Sequence, residues 1–450
     1  MSDIEEHRKK IEELTLEMIK LLKTRTDVAK QIGDAKASLG MTVTDEERED
    51  ALRTQVTKLC KEIDLDQSTA LKFLNLLLNE SVKVQSDGKQ THLSVFLKAK
   101  ALEEEGKKII HLEVGEPDFR PPKEVKTALE EVYDKGYGKY GSAKGITELR
   151  KELAEAERDC TVENIMVCPG ARFAVYLVIT TLLNPGDEII VIEPAWPAYK
   201  DCALNAGIKV RTIKTTLETK WEPSIDQINN AINENTKMII LNYPNNPTGK
   251  ILPKELLASI IQTAKEHDLY VLSDEIYEEY SNDDWHSVSI YDYDKSIITR
   301  SFSKSHAMTG YRIGYTIAKK SIIDKMSKLQ ALSLTNVSEP IQYVALQALN
   351  ADTSENTKII KSRLDALKES TKDIGLEFIE PDGSMYLFAR TKHKNFDATK
   401  FSEKLLEHGV AIAPGEGFGD YKEFFRITAI NEPRLMEGMT ILDTVLKETV

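Results

Sequence analysis

The chain has 450 residues, a formal net charge of -13 and 41% hydrophobic residues, enough length for two or three domains with their own cores. The acidic balance argues against nucleic acid or a membrane surface as partner, since both favour a basic face. No apolar run is long enough to span a bilayer, and Met1-Ser2-Asp3-Ile4-Glu5-Glu6 does not read as a signal peptide. Cys60, Cys160, Cys168 and Cys202 lack metal-ligand spacing and look unpaired, so a reducing cytoplasm and no bound metal are expected.

Residues 1–86 read as helical, with no proline and no glycine before Gly33. A heptad fits from Ile4 to Ala35: Ile4, Ile11, Met18, Arg25 and Ile32 share one seam position, and His7, Leu14, Leu21, Val28 and Ala35 the other. The spacing predicts a helix on the order of 50 Å long, packed against partner helices and ended near Gly40. Arg25 is the anomaly, because a cation in an apolar seam needs a partner or a path to water. Arg8 and Lys36 share a neighbouring stripe, so cations recur at defined heights, as an anionic ligand between helices requires. A second helix is expected from a capping box at Thr44-Asp45-Glu46-Glu47, with Arg48 and Glu49 in its first turn. A third runs from about Gln67 to Gln85, where Ser81 and Gln85, spaced i,i+4, share a face.

These positions resemble the helical chorismate mutase family over about residues 3–86. The resemblance implies an all-α domain of the intertwined-dimer type whose substrate contacts are Arg8, Arg25, Lys36, Asp45, Arg48, Glu49, Ser81 and Gln85. Chorismate is a dicarboxylate whose rearrangement to prephenate is pericyclic. Compression into the reactive conformer and cations near the ether oxygen are what an enzyme can add. By resemblance Arg25, Arg48 and the partner subunit's Arg8 hold the carboxylates, Lys36 and Gln85 address the ether oxygen, and Glu49 takes the ring hydroxyl. A neutral Gln85 implies activity less confined to low pH than a glutamate there allows.

After the short polar link Ser86-Asp87-Gly88-Lys89-Gln90, a helix is expected from His92 to Glu105. The stretch 165–168 feeds Pro169-Gly170-Ala171-Arg172 and then a helix, an arrangement whose free N–H groups suit a phosphate. Without G-x-G-x-x-G or a Walker pattern it is not a nucleotide site. Apolar runs at 188–192, 209–213, 238–241, 270–274 and 297–299 alternate with helical patterns, which predicts a mostly parallel sheet with sites at the strand C-terminal ends. The run at 238–241 enters the rigid turn Asn242-Tyr243-Pro244-Asn245-Asn246-Pro247-Thr248-Gly249, and 269–274 ends in Asp274 with Tyr277 three residues on. The last run delivers Lys304 to the Ser-rich turn Ser301-Phe302-Ser303-Lys304-Ser305, and Arg312 follows. A lysine so placed is a candidate Schiff-base nucleophile, and a nearby guanidinium can take a phosphate in bidentate fashion. Pyridoxal phosphate carries both aldehyde and phosphate. Its ring nitrogen needs a carboxylate such as Asp274, and its ring hydroxyl a donor such as Tyr277.

From about Leu97 onward the chain resembles the fold-type I, class I aminotransferases. That implies an α/β body at 97–450 after a linker at 87–96, with a large domain at about 130–350 and a smaller α+β domain at 97–129 plus 351–450. It implies Lys304 as Schiff base, Asp274 as pyridinium partner, Tyr277 and Asn246 on the ring hydroxyl, and Gly170, Ala171, Arg172, Ser303 and Arg312 around the phosphate. The resemblance also implies that Trp196 stacks over the cofactor and that Tyr140 reaches the phosphate of the other subunit. The Gly115 backbone and Arg426 receive the substrate α-carboxylate. The loop 332–338 has no arginine for a distal carboxylate, and Arg172, where a related subgroup has lysine, is expected to take that role and favour aspartate or glutamate. The fusion suggests prephenate or a phenylpyruvate as the oxo acid, in a cytoplasmic homodimer or higher homo-oligomer. Two other readings are an aminotransferase whose helical front end is a ligand sensor or dimerisation clamp, and a pyridoxal-phosphate lyase or synthase.

Overall fold

The structure, a computed structural model, describes residues 2–38, 45–85, 92–393 and 395–449. It divides into two compact units, Met1–Lys89 and Gln90–Val450. In the first, α1 (Ser2–Ser38) and α2 (Glu46–Ile63) both pack on α3 (Gln67–Gln85). The contact lies toward the C-terminal end of α1, where Ala29 is buried and a Cβ on Gly33 would sit 2.9 Å from Gln85 Cγ. Gly33 is thus what lets α1 and α3 close together.

The apolar seam of α1 behaves differently from the heptad's expectation. Ile4, Ile11, Leu14, Met18 and Leu21 remain exposed. The periodicity is that of a buried stripe, but three helices of one chain leave it uncovered. The start of α2 also differs: Asp45 is the N-cap, its side chain accepting from Arg48 N at 3.1 Å. Thr44, expected as the cap, lies outside the described residues, as do Gly40 and the link 86–90.

The second unit begins with α4 (His92–Glu104). Its main sheet contains β2 (Ile165–Cys168), β3 (Glu188–Glu193), β4 (Lys209–Lys214), β5 (Thr236–Asn242), β6 (Tyr270–Asp274), β7 (Ser296–Ser301) and β8 (Gly314–Ile317), in the order β2-β8-β7-β6-β5-β3-β4. The strands from β4 to β7 are parallel, and β8 runs antiparallel to both β7 and β2. Strands buried on both faces explain the unbroken Ile/Val runs. Along β3, Ile189 and Val191 join one apolar cluster while Ile190 and Ile192 join the other, one on each face of the pleat.

A pair β1 (Ile110–His111) and β11 (Val410–Ala411) and a second sheet of β9 (Glu377–Phe378), β10 (Tyr386–Arg390), β12 (Ala413–Pro414) and β13 (Phe424–Thr428) complete the strands. Ile110 and Leu112 share a cluster with Leu387, Phe401 and Phe425 of this second layer. The helix Lys123–Asp134, by contrast, buries Val125 and Ala128 against Leu149, Ile165 and Val344. Ile110 and Leu112 thus pack with the second sheet, and Val125 and Ala128 with the main one. Among the described residues no helix is long and apolar enough to cross a membrane.

What matters for function is register. Asn242 and Asp274, the last residues of β5 and β6, pair with each other, and Asp274 pairs with Thr299 of β7, which runs two residues further to Ser301 before the turn bearing Ser303 and Lys304, so the three strands open on one rim.

Candidate active site

That rim opens on a cavity of about 330 Å³. Asp274 closes β6 at 3% exposure; its Oδ2 accepts from the Tyr199 hydroxyl at 2.6 Å, and its buried Oδ1 has no hydrogen-bond partner. Burial pushes the Asp274 carboxyl up to about 6, and the Tyr199 hydrogen bond, with weaker help from the Ile276 N–H and Thr299, works against that rise. Asn242, ending β5, donates Nδ2 to the Asp274 carbonyl at 3.0 Å and accepts from Asn246 N at 3.0 Å, so one amide ties the carboxylate strand to the following turn.

Lys304 enters from the turn after β7 and donates Nζ to the Gly115 carbonyl. Burial lowers its pKa, which favours the neutral, nucleophilic amine. The Tyr277 hydroxyl lies 2.7 Å from that of Tyr386, and burial raises its pKa well above the ordinary tyrosine range. Arg426, on β13 and 2% exposed, donates Nη1 to Asn246 Oδ1 at 2.7 Å and Nη2 to the Glu113 carbonyl. Its guanidinium faces the Tyr386 ring at 4.2 Å.

The opposite wall is built for an anion. The helix Ala171–Leu182 starts behind Gly170, whose φ of 84° only glycine adopts freely, and no side chain caps its first N–H groups. A Cβ on Gly170 would lie 2.6 Å from Arg312 Nη2, so the missing side chain leaves room for the guanidinium beside those N–H groups. Ser303, Arg172 and Arg312 also line the cavity, and the Arg172 guanidinium lies 4.8 Å from the centre of the Trp196 ring. Tyr140 is 90% exposed and does not line this cavity.

The expected pyridoxal phosphate fits these residues. An orphaned buried carboxylate oxygen suits a protonated ring nitrogen, a phenol and an amide sit near by, and uncapped N–H groups with a guanidinium suit a phosphate. Three residues that the sequence reading passed over belong to the site: Tyr199, Asn242 and Tyr386. Tyr199 sits one turn beyond Trp196, and Asn242 closes a strand as Asp274 does; both spacings were visible. Nothing local marks Tyr386, which reaches the cavity from the second sheet.

In the first unit, α1 and α3 bring Arg25, Ser81 and Gln85 to one face. Arg25 Nη1 donates to Ser81 Oγ at 2.6 Å and to the Leu77 carbonyl at 2.7 Å, and burial lowers its pKa. A helix carbonyl and a hydroxyl thus receive one nitrogen of the half-buried cation. Gln85 Oε1 is buried without a hydrogen-bond partner. Lys36 and Glu49 are half-buried, whereas Arg8, Asp45 and Arg48 are exposed. Arg8 lies 17 positions before Arg25 on the same helix, a rise of about 25 Å, so one copy of α1 does not bring both to one small ligand.

Residues 107–441 match the family model described as aminotransferase class I and II, and residues 7–86 the one described as chorismate mutase type II. The aspartate aminotransferase of Thermotoga maritima is 35% identical over 331 residues, covering 71% of this chain and 87% of that protein. The aspartate/prephenate aminotransferase of Thermus thermophilus is 32% identical over 378 residues, covering 81% and 98%. The crystal structure of the Thermotoga maritima aspartate aminotransferase is similar with a TM-score of 0.76 at 33% identity, covering 80% of this chain and 98% of that one.

The Tyr199–Asp274 pair has a pH signature in the cofactor-free protein. Because the folded value of Asp274 lies above its ordinary 3.8, its contribution to stability is fully present below that value and is lost as pH rises to about 6. Tyr199→Phe removes the hydrogen bond that restrains the rise. The deficit of the variant against wild type in denaturant unfolding should therefore stay constant below about pH 5 and widen as pH rises through about 6 and beyond, by about 1–3 kcal/mol; a deficit independent of pH contradicts the pairing.

Proposed function

Because the chain belongs to the class I and II aminotransferases and carries a type II chorismate mutase domain ahead of that body, we propose that it is a bifunctional enzyme of aromatic amino-acid biosynthesis. The first unit rearranges chorismate to prephenate, and the second moves an amino group from aspartate or glutamate to prephenate or a phenylpyruvate. The observation that carries this reading is the pairing of two separate constellations on one chain: Arg25, Ser81 and Gln85 in the first unit, and Lys304, Asp274 and Arg426 in the second. That a relative from Thermus thermophilus is named for aspartate and prephenate supports the choice of substrates.

The aminotransferase family is pyridoxal-phosphate-dependent. When bound, the cofactor supplies an electron sink for the substrate α-carbon. The chain's own groups do the rest. Asp274 Oδ1 holds a proton on the ring nitrogen, and Tyr277 and Asn246 address the ring hydroxyl. Ser303, Arg312 and the N–H groups of Ala171 and Arg172 take the phosphate, joined across a dimer by the partner subunit's Tyr140. Trp196 covers the ring face. Lys304 Nζ is the attachment point and then the proton carrier at the α-carbon, a task that its lowered pKa suits. Arg426 forks the α-carboxylate beside the Gly115 backbone. Arg172, reaching from the phosphate helix, takes the distal carboxylate of aspartate or glutamate.

In the mutase unit Arg25 and Arg48 hold the chorismate carboxylates together with the partner subunit's Arg8, a reading supported by the separation of Arg8 from Arg25 along α1. Lys36 and Gln85 face the ether oxygen, Glu49 the ring hydroxyl, and Ser81 steadies Arg25. The bare seam of Ile4, Ile11, Leu14, Met18 and Leu21 is the surface that a second copy covers, making a homodimer. Unpaired thiols agree with a cytoplasmic enzyme.

Two full-length variants test the two halves. Arg172→Ala should raise KM for aspartate by about 10–100-fold while that for phenylalanine changes little; equal effects refute the assignment. Arg25→Ala should lower chorismate turnover by at least about a hundredfold and leave transamination intact. Wild-type protein with no mutase activity would favour a ligand sensor or dimerisation clamp instead.

A further inference from the structure

Tyr386 opens β10 and is 1% exposed. Its position draws three separate parts of the pocket onto one side chain. The hydroxyl lies 2.7 Å from the Tyr277 hydroxyl, with the rings edge to face at 5.4 Å. The ring carries the Arg426 guanidinium 4.2 Å from its centroid. A Cβ added to Gly115 would overlap the hydroxyl, so the loop whose carbonyl receives Lys304 Nζ closes directly over it.

Two phenols at hydrogen-bond distance share one proton between them, so one donates and the other accepts. Where Tyr386 donates to Tyr277 Oη, the Tyr277 proton is free to turn toward the pocket, and a phenol that accepts a hydrogen bond is itself a stronger donor. Burial keeps Tyr277 protonated, as that role demands. The ring has a different duty. Arg426 has a buried Nε without a hydrogen-bond partner and is held by one amide, one carbonyl, this aromatic face and, at a longer 5.0 Å, the Phe418 ring. A cation on a desolvated ring is held at a defined tilt.

We infer that Tyr386 is a positioning residue with two separable duties: its hydroxyl sets the donor strength of Tyr277 toward the cofactor ring hydroxyl, and its ring sets the angle at which Arg426 meets the substrate carboxylate. This rests on the cofactor reading of Lys304, Asp274 and Tyr277 given above. The titratable and charged groups around it are Tyr277 and Tyr280 after β6, Asp274 at its end, Lys304 after β7, Glu116 after β1 and Arg426 on β13. Removing one hydroxyl leaves every one of them in place.

The test uses full-length protein loaded with pyridoxal phosphate, reading both the pH midpoint of its visible absorbance change and the steady-state constants. Tyr277 competes for the same ring oxygen with the proton that colours the lysine-bound cofactor, so a weaker Tyr277 donor holds that proton to higher pH. Tyr386→Phe, which keeps the packing, should raise the midpoint by about half a pH unit or more and leave KM for the amino donor within about twofold. Tyr386→Leu, which also removes the ring, should add a rise of about tenfold in KM for every substrate bearing an α-carboxylate, whatever its side chain. A yellow wild type whose Tyr386→Phe variant keeps the same midpoint overturns this inference alone, as does a KM that moves equally in both variants. A wild type that stays colourless overturns the cofactor reading and the inference together.

Discussion

A buried carboxylate with one satisfied oxygen and one orphaned oxygen is the constraint around which the larger unit is arranged. Leaving a polar atom unpartnered at this depth costs about 1–3 kcal/mol, and Asp274 does so at the end of a central strand with cationic side chains across the cavity. Parallel pairing makes the arrangement possible, because β5 and β6 end level, β7 runs on beside them into the turn that bears Lys304, and each can contribute one residue or turn. Tyr199 and Asn242 then fix the carboxylate from the side chain and the backbone. A second buried charge stands behind it. Arg300, on β7, meets Glu157, Glu275 and Glu278, and Glu275 also accepts from Ser287 and from Val288 N. Glu275 follows Asp274 directly, so this knot anchors the strand end from the far side of the pocket.

Much of this was legible in the sequence because parallel α/β folds write their sites at strand ends. Lys304, Asp274 and Arg312 follow apolar runs, and Gly170 precedes a helix; a strand-end rule is enough to collect them. Tyr386 was not legible, since it comes from the other sheet and only the packing of the two layers brings its hydroxyl to Tyr277. Tyr199 was missed for a different reason: a tyrosine at the start of a helix reads as core until the carboxylate it caps is in place. The packing of the helix Lys123–Asp134 has the same origin, because burial of Val125 and Ala128 is decided by which surface they reach.

The helical unit shows what local pattern leaves undecided. The heptad correctly announces α1, yet the stripe it defines lies exposed. Hydrophobic period specifies that a face is to be covered and is silent on which chain covers it. Arg25 is the complementary case. Its place in an apolar seam looked anomalous, and the structure resolves it through Ser81 and the Leu77 carbonyl of α3, acceptors that no single-helix pattern displays. Asp45, by capping α2, shows that a residue matching a substrate-contact position is also held by local backbone chemistry.

The claim with most weight is that the free oxygen of Asp274 exists to hold a proton on a cofactor ring. The direct measurement is the rate of the half-reaction with glutamate, followed by absorbance in Asp274→Asn protein reconstituted with pyridoxal phosphate. The account predicts that the variant still takes up the cofactor and turns yellow, while the half-reaction slows by at least about a hundredfold. A variant that reacts within about tenfold of wild type would contradict it.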